Sequence, residues 1–143
     1  MTNWIKRYLE LATHVATWSK DPSCQVGAVI VTADNKPVSF GFNGFPRGFD
    51  DDPSRYENKE YKLRHVIHAE LNAILNAERS VAGCTIYVTH PPCQQCAGAI
   101  VQAGIISVHA YHPGPRFFMK WNVPDTKQIF EETNTHFKLY NRE

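Results

Sequence analysis

The chain has 143 residues, close to the ~150 of one ordinary domain, so a single domain over residues 1–143 with its own core is expected. Apolar residues make up 43% and charged residues 20%, with three Trp, six Tyr and eight Phe, which excludes wholesale disorder. Fifteen Lys and Arg against fourteen Asp and Glu leave a formal charge of +1, so no long-range positive field gathers nucleic acid or an anionic membrane, and an anionic ligand must be caught locally.

The opening MTNWIKRYLELA carries no apolar leader segment, and the most apolar stretch, residues 26–31, is far too short to span a bilayer. A cytoplasmic protein with no membrane partner is expected. Trp4, Tyr8, Leu11, Val15 and Trp18 recur at spacings of three and four, which predicts an amphipathic first helix burying that face. Asp21-Pro22-Ser23 breaks the pattern, and Val26-Gly27-Ala28-Val29-Ile30-Val31 is an apolar, β-branched run of strand length. A turn at Asp34-Asn35-Lys36 returns the chain as a second strand over residues 37–40. Gly41-Phe42-Asn43-Gly44-Phe45-Pro46-Arg47-Gly48 holds too many breakers for regular structure. Its aromatic, amide and guanidinium groups read either as a binding loop or as plain surface. The charged residues 53–62 predict a short solvated helix or coil.

Residues 68–79 contain Ala69, Leu71, Ala73, Ile74, Leu75 and Ala77, which predicts a helix apolar on most sides and therefore buried. Residues 84–89 predict a strand. After Pro91-Pro92, the run CQQCAGAIVQAG predicts a helix with proline at its start and Gly104 at its end. Residues 105–110 predict another strand, 126–132 a short helix and 136–140 a last strand. Helix and strand alternate through the second half, so the fold class is α/β, with helices covering the faces of a mixed sheet.

Four cysteines, Cys24, Cys84, Cys93 and Cys96, are too few for a disulfide-stapled domain, and two of them sit as CxxC. His68, Cys93 and Cys96 all suit zinc and all lie at the starts of two predicted helices. The partial positive charge and free N–H groups of a helix N-terminus favour the thiolates a metal requires. Three protein ligands leave the fourth tetrahedral position for water, as in a catalytic zinc, which lowers the pKa of that water to about 7. Glu70, in the first turn of the same helix as His68, can face that cavity and move protons between the water and a substrate nitrogen. His68-Ala69-Glu70 and Pro92-Cys93-Gln94-Gln95-Cys96 together fit the H-x-E and P-C-x-x-C signature of zinc-dependent nucleobase deaminases at every defined position.

Blander readings stay beside this one. Cys93 and Cys96 at a strand-to-helix junction could form a redox dithiol. A closed structural zinc would need a fourth ligand such as Cys84 or His90. Glu70 could be an ordinary carboxylate of a first helical turn.

The chain resembles the cytidine deaminase superfamily, and within it the deoxycytidylate (dCMP) deaminases. Four blocks carry the resemblance: TWSKDPSCQVGAVIV (17–31), GFNGFPRG (41–48), HAELNAIL (68–75) and YVTHPPCQQCAGAIVQAGI (87–105). The last two are shared across the superfamily, whereas DPSxxVGAVIV and GxNGFPRG point to the dCMP branch. The resemblance implies a three-layer α/β/α domain around a five-stranded mixed sheet, one catalytic zinc, and hydrolysis of dCMP to dUMP and ammonia to supply thymidylate synthesis. Water activated by the metal would attack C4 of cytosine while Glu70 shuttles a proton to N3 and then to the departing amine. Backbone N–H groups near Ala69 and Cys93 would hold the base oxygen and the metal-bound hydroxyl, and Asn43 would contact the deoxyribose. Deamination of another pyrimidine or purine, or of tRNA adenosine, is the alternative with the same core.

For the 5′-phosphate the candidates are Arg47 first, for its planar fork, then Lys20, Ser23, Lys62, Arg64 and His65. Regulated members have GYNG where this chain has Gly41-Phe42-Asn43-Gly44, so the missing tyrosine hydroxyl counts against activation by dCTP or inhibition by dTTP. Some members bind a second, structural zinc ahead of HAE; residues 44–64 here contain no Cys or His, which predicts one zinc per chain. The resemblance also implies a homo-oligomer, hexamer or dimer, and no nucleic-acid partner.

Overall fold

The computed structural model describes residues 1–142. Its first helix, α1 (Asn3–Ala16), starts at Thr2, whose hydroxyl accepts from the Ile5 N–H at 3.3 Å. The buried stripe is Tyr8, Leu9, Ala12, Val15 and Ala16. The helix is therefore turned by about one position from the face expected from its largest residues. Trp4 and Trp18 remain 46% and 47% exposed, because each lies beyond an end of the stripe that meets the sheet. They pack instead on rings, Trp4 on Tyr8 at 5.8 Å and Trp18 edge-on to Phe42 at 6.2 Å.

Strand β1 (Gly27–Val31) is buried along its whole length. The left-handed Asn35 (φ 68°) turns it into β2 (Pro37–Phe42), its antiparallel neighbour, two residues longer than the breaker pattern suggested. Residues 53–65 form two short helices, α2 (Pro53–Glu57) and α3 (Lys59–His65). Then come α4 (Ala69–Asn76), β3 (Thr85–Val88), α5 (Gln94–Gln102) and β4 (Ser107–Tyr111). Helix α4 stops three residues short of the expected Arg79, and Leu75 on it is 68% exposed. Its burial comes from Ala69, Glu70 and Ala73 rather than from all sides.

The C-terminal region differs most from expectation. A one-turn helix α6 (Pro115–Phe118) was hidden by its Gly-Pro start, and α7 (Val123–Glu132) begins three residues before Thr126, with proline in its first turn. Strand β5 (His136–Tyr140) ends the fold where it was expected.

The five strands run in the order β2-β1-β3-β4-β5. β1 is antiparallel to β2 and β3, while β3, β4 and β5 are parallel, so the sheet is mixed. Alternation along β1 divides the interior in two. Ala28 and Ile30 join Ala69, Ala73, Ala97, Ile100 and Phe130 under α4, α5 and α7, whereas Val29 and Val31 join Leu9, Ala12 and Val15 under α1. This is the three-layer α/β/α arrangement.

Two glycines set the spacing of those layers. A Cβ on Gly27 would lie 2.0 Å from the Ala12 carbonyl oxygen, and one on Gly41 would lie 2.3 Å from both the Ala69 oxygen and the Ala73 nitrogen. Backbone meets backbone at both places, so no side chain fits. Gly41→Ala is expected to lower stability by about 2–3 kcal/mol by prising α4 from β2. Chemical denaturation against wild type measures it, and an unchanged midpoint would contradict the packing described.

Candidate active site

Both short sequence motifs sit where a helix begins. His68 is the N-cap of α4 and Cys93 the N-cap of α5. The two helices pack on the same face of the sheet, through Ala69, Ala73, Ala97 and Ile100, and bring their starts together. His68 Nδ1 lies 3.3 Å from Cys96 Sγ and 3.5 Å from Cys93 Sγ. The donor atoms of His68, Cys93 and Cys96 all lie within 4.8 Å of one another. Zinc–sulfur bonds of about 2.3 Å and zinc–nitrogen bonds of about 2.0 Å at tetrahedral angles require donor separations of about 3.6 Å. The donor set and its spacing therefore fit zinc, with Nδ1 as the histidine ligand atom.

The electrostatics agree. A hydrogen bond from the Cys96 thiol, helped by His68 and by the Cys96 backbone N–H, pulls the Cys93 thiol down to about 4. Cys96 is pushed up by that same shared proton and by burial. The Cys93 sulfur raises His68. A cation would displace this proton and leave two thiolates and a neutral imidazole. The closed-site alternatives do not assemble among the described residues. Cys84 is buried in the core beneath α4 and α5, and His90 Nδ1 pairs with the Thr89 hydroxyl at 2.8 Å.

Glu70 is 4% exposed, and burial pushes its carboxyl up to about 7, against partial opposition from its own backbone N–H and His68. A carboxyl at that value can both take and give a proton at neutral pH. Ala69 and Glu70 lie in the first turn of α4, where backbone N–H groups have no partner inside the helix.

The residues expected at the substrate are placed less uniformly. Asn43 is buried and bound to backbone at both ends of its amide: Oδ1 accepts from Val26 N–H at 2.9 Å and Nδ2 donates to the Cys24 carbonyl at 2.9 Å. It fastens the loop before β1 to the end of β2. Lys20 is exposed and paired with Asp51 at 2.7 Å. His65 stacks on Tyr61 at 4.1 Å and donates Nδ1–H to the Tyr61 carbonyl. Arg64 pairs with Glu60. Arg47 is exposed and, among the described residues, makes no ion pair.

Lys62 and Ser23, phosphate candidates by sequence, instead form with Asp21 the group that organises this end of the chain. Lys62 reaches Asp21 at 3.2 Å and the Ser23 hydroxyl at 2.8 Å, with side chains only 14% and 3% exposed for the ion pair. Asp21 also accepts from the Ser23 N–H, the Ser23 hydroxyl and the Cys24 N–H. Burial alone would raise its carboxyl, but these donors outweigh it and hold the group below the usual carboxylate range. The pair ties α3 to the 19–24 loop, and the reciprocal bonds of Gly44 and Ile67, at 3.1 and 2.8 Å, close the segment at its base just before His68. The 41-residue spacing between Asp21 and Lys62 hides this contact from any local pattern.

A site with one His and two Cys opening to the surface over a buried, raised carboxyl, at converging helix starts, defines a zinc-dependent hydrolytic deaminase. Residues 2–112 match the family described as the cytidine and deoxycytidylate deaminase zinc-binding region, and the chain belongs to it. A deaminase of Aliivibrio fischeri, itself uncharacterized, is 47% identical over 121 residues, 85% of this chain and 81% of that protein. The deoxycytidylate deaminase of Mus musculus is 49% identical over 111 residues, 73% of this chain, so the chain spans only 62% of that enzyme's length. The structure of a dCMP deaminase from cyanophage S-TIM5, in complex with dCMP and dUMP, superposes with a TM-score of 0.76 at 25% identity, over 98% of this chain and 99% of the other.

The Asp21–Lys62 pair has a pH signature. Because the folded carboxyl lies below its unfolded value of about 3.9, its contribution is complete above that value and is lost as pH falls through the folded one. Wild type should therefore lose stability below about pH 4. Asp21→Asn should be about 2 kcal/mol less stable at pH 7, since it leaves a half-buried lysine with only the Ser23 hydroxyl, and should lose less on acidification. Urea midpoints at pH 7, 4 and 3 measure both; parallel acid losses in the two proteins would refute the assignment.

Proposed function

We propose that the chain hydrolyses dCMP to dUMP and ammonia. The observation that carries this is Glu70, buried in the first turn of α4 beside the His68, Cys93 and Cys96 donor set. Its support comes from the deoxycytidylate deaminases among its relatives and from the cyanophage enzyme's complex with dCMP and dUMP.

His68 Nδ1 and the Cys93 and Cys96 sulfurs would hold the zinc, whose chemistry when bound would be to activate a water as the nucleophile. Glu70 takes one proton from the attacking water and delivers it to N3 of the cytosine ring, then takes the second proton from the new hydroxyl on C4 and passes it to the amino group there. The bond from C4 to the amine breaks as the new C4–oxygen bond becomes a carbonyl, and ammonia leaves. Burial serves this role, because a carboxyl held near 7 is protonated in part at every neutral pH and moves its proton with little driving force lost. The free N–H of Ala69 is the donor for the base oxygen.

Substrate capture follows from which groups are already committed. Lys62, Lys20 and Arg64 are held by carboxylates, and His65 is held by Tyr61. Arg47 remains as the phosphate group's cation. Asn43 keeps one Nδ2 hydrogen beyond its backbone bond, and this is its contact for the deoxyribose. Phe42 packs on Trp18 and carries no hydroxyl, in keeping with an enzyme not governed by dCTP or dTTP. The exposed ring row of Trp18, Phe40 and Phe42 supports a homo-oligomer, hexamer or dimer. No helix among the described residues is long and apolar enough to cross a membrane.

Ammonia release at neutral pH with dCMP, CMP, deoxycytidine and dCTP in parallel, with and without dCTP or dTTP as effector, tests the assignment. Turnover should be confined to dCMP and indifferent to effectors. Glu70→Gln should lose about 10³-fold or more in kcat while one zinc per chain stays bound. Zinc-loaded protein inactive on all four substrates would sink the reading and direct attention to purine or nucleic-acid substrates.

A further inference from the structure

β2 is an edge strand, and its outward carbonyls are not left to solvent. In the register with β1, Val29 faces Phe40 and Gly27 faces Phe42, while Asn43 N–H bonds back to the Val26 carbonyl. Residues 41 and 43 thus turn their backbone groups toward β1, and residues 40 and 42 turn theirs away from the sheet. Two side chains of α4 take up these outward groups. Asn72 Nδ2 donates to the Phe42 carbonyl at 2.8 Å and Asn76 Nδ2 to the Phe40 carbonyl at 3.0 Å.

The two repeats match in length. Four helical residues rise about 6.0 Å and two strand residues about 6.8 Å, so amides at i and i+4 can reach carbonyls at i and i+2. On the inner side, the Ser39 hydroxyl donates to the Ala73 carbonyl at 2.7 Å, and Gly41 lets the two backbones touch. These bonds grip α4 from both sides of its line of contact with β2. They leave it little freedom to roll about its own axis.

We propose that Asn72 is a positioning residue for Glu70: its bond to the edge strand sets the roll of the first turns of α4 and thereby the aim of the Glu70 carboxyl and of His68. Side-chain tips lie about 5–6 Å from a helix axis, so a roll of about 10° moves the carboxyl by about 1 Å. A displacement of that size is enough to slow a positioned reaction by up to about 10²-fold. Asn76, one turn further on, tethers only the far end of the helix.

The inference rests on the function proposed above, and the test separates the two. Asn72→Asp keeps the shape but removes the donor, Asn72→Ala removes the contact, and Asn76→Asp is the matched control. Each is compared with wild type for thermal midpoint, zinc content, kcat and KM on dCMP, and for the visible spectrum of cobalt(II)-loaded protein. Both Asn72 variants should lose about tenfold or more in kcat with KM within about twofold, retain one metal per chain, and shift the cobalt bands. Asn76→Asp should lower the thermal midpoint similarly while leaving kcat and the cobalt spectrum unchanged. Wild-type kcat and spectrum in the Asn72 variants, or an equal kcat loss in Asn76→Asp, would overturn the proposal. A wild-type protein inactive on dCMP would count against the substrate instead, and the cobalt spectra would still decide the positioning.

Discussion

Everything at the site depends on one close approach of backbones. Helix α4 lies directly on β2 at Gly41, near enough that a single methyl group would meet the Ala69 oxygen and the Ala73 nitrogen. That contact fixes how deep the start of α4 sits in the sheet's end. Depth in turn fixes two chemical properties: His68 Nδ1 comes within zinc-ligand range of two sulfurs, and Glu70 leaves water. A looser packing would separate the donors and let the Glu70 carboxyl return to an ordinary acid.

Burial and charge are distributed with opposite effects around this point. Cys93 is driven toward the thiolate by donors at the start of α5, whereas Glu70 is driven toward the neutral acid by the lack of solvent. Two neighbouring groups thus acquire opposite protonation tendencies from the same fold. The C-terminal region closes the other side. The Thr126 hydroxyl donates to the Pro92 carbonyl at 2.8 Å, Gln94 reaches Asp125 at 3.3 Å, and Trp121 lies 5.4 Å from the His90 ring. The loop that delivers Cys93 is therefore held from behind by α7.

The segment between β2 and His68 is organised largely by its own aromatic rings. Phe45 is the hub, 4.5 Å from Tyr56 and in contact with Phe49 and Tyr61, while Arg55 lies over Phe49 and Tyr61. These rings, the Asp21–Lys62 pair and the Gly44–Ile67 bridge hold the loop after β2 against the short helices α2 and α3. The breakers of residues 41–48 read as a loop and residues 53–62 as a short helix or coil, whereas the packing of Phe45 on Tyr56 and Tyr61, eleven and sixteen residues away, leaves no periodic trace. The same holds for α6, whose Gly-Pro start reads as a stop signal until Phe117 is seen stacked on Trp121.

The sequence by itself determined the chemistry and the class of fold. HAE and PCxxC single out the group that could hold a metal, with a carboxyl two residues from its histidine, because zinc admits few residue types. The β-branched runs and capped helices between them leave little besides an α/β sheet, although helix ends, the one-position turn of α1, the last two residues of β2 and the whole of α6 were not legible in it. Tertiary structure alone decided which candidate side chains are free to act. Asn43 was committed to backbone, Lys62 to Asp21 and Lys20 to Asp51, while Arg47 was left without an ion pair among the described residues. A hydrogen bond or ion pair depends on the distance between groups far apart in sequence, and only the folded packing sets that distance.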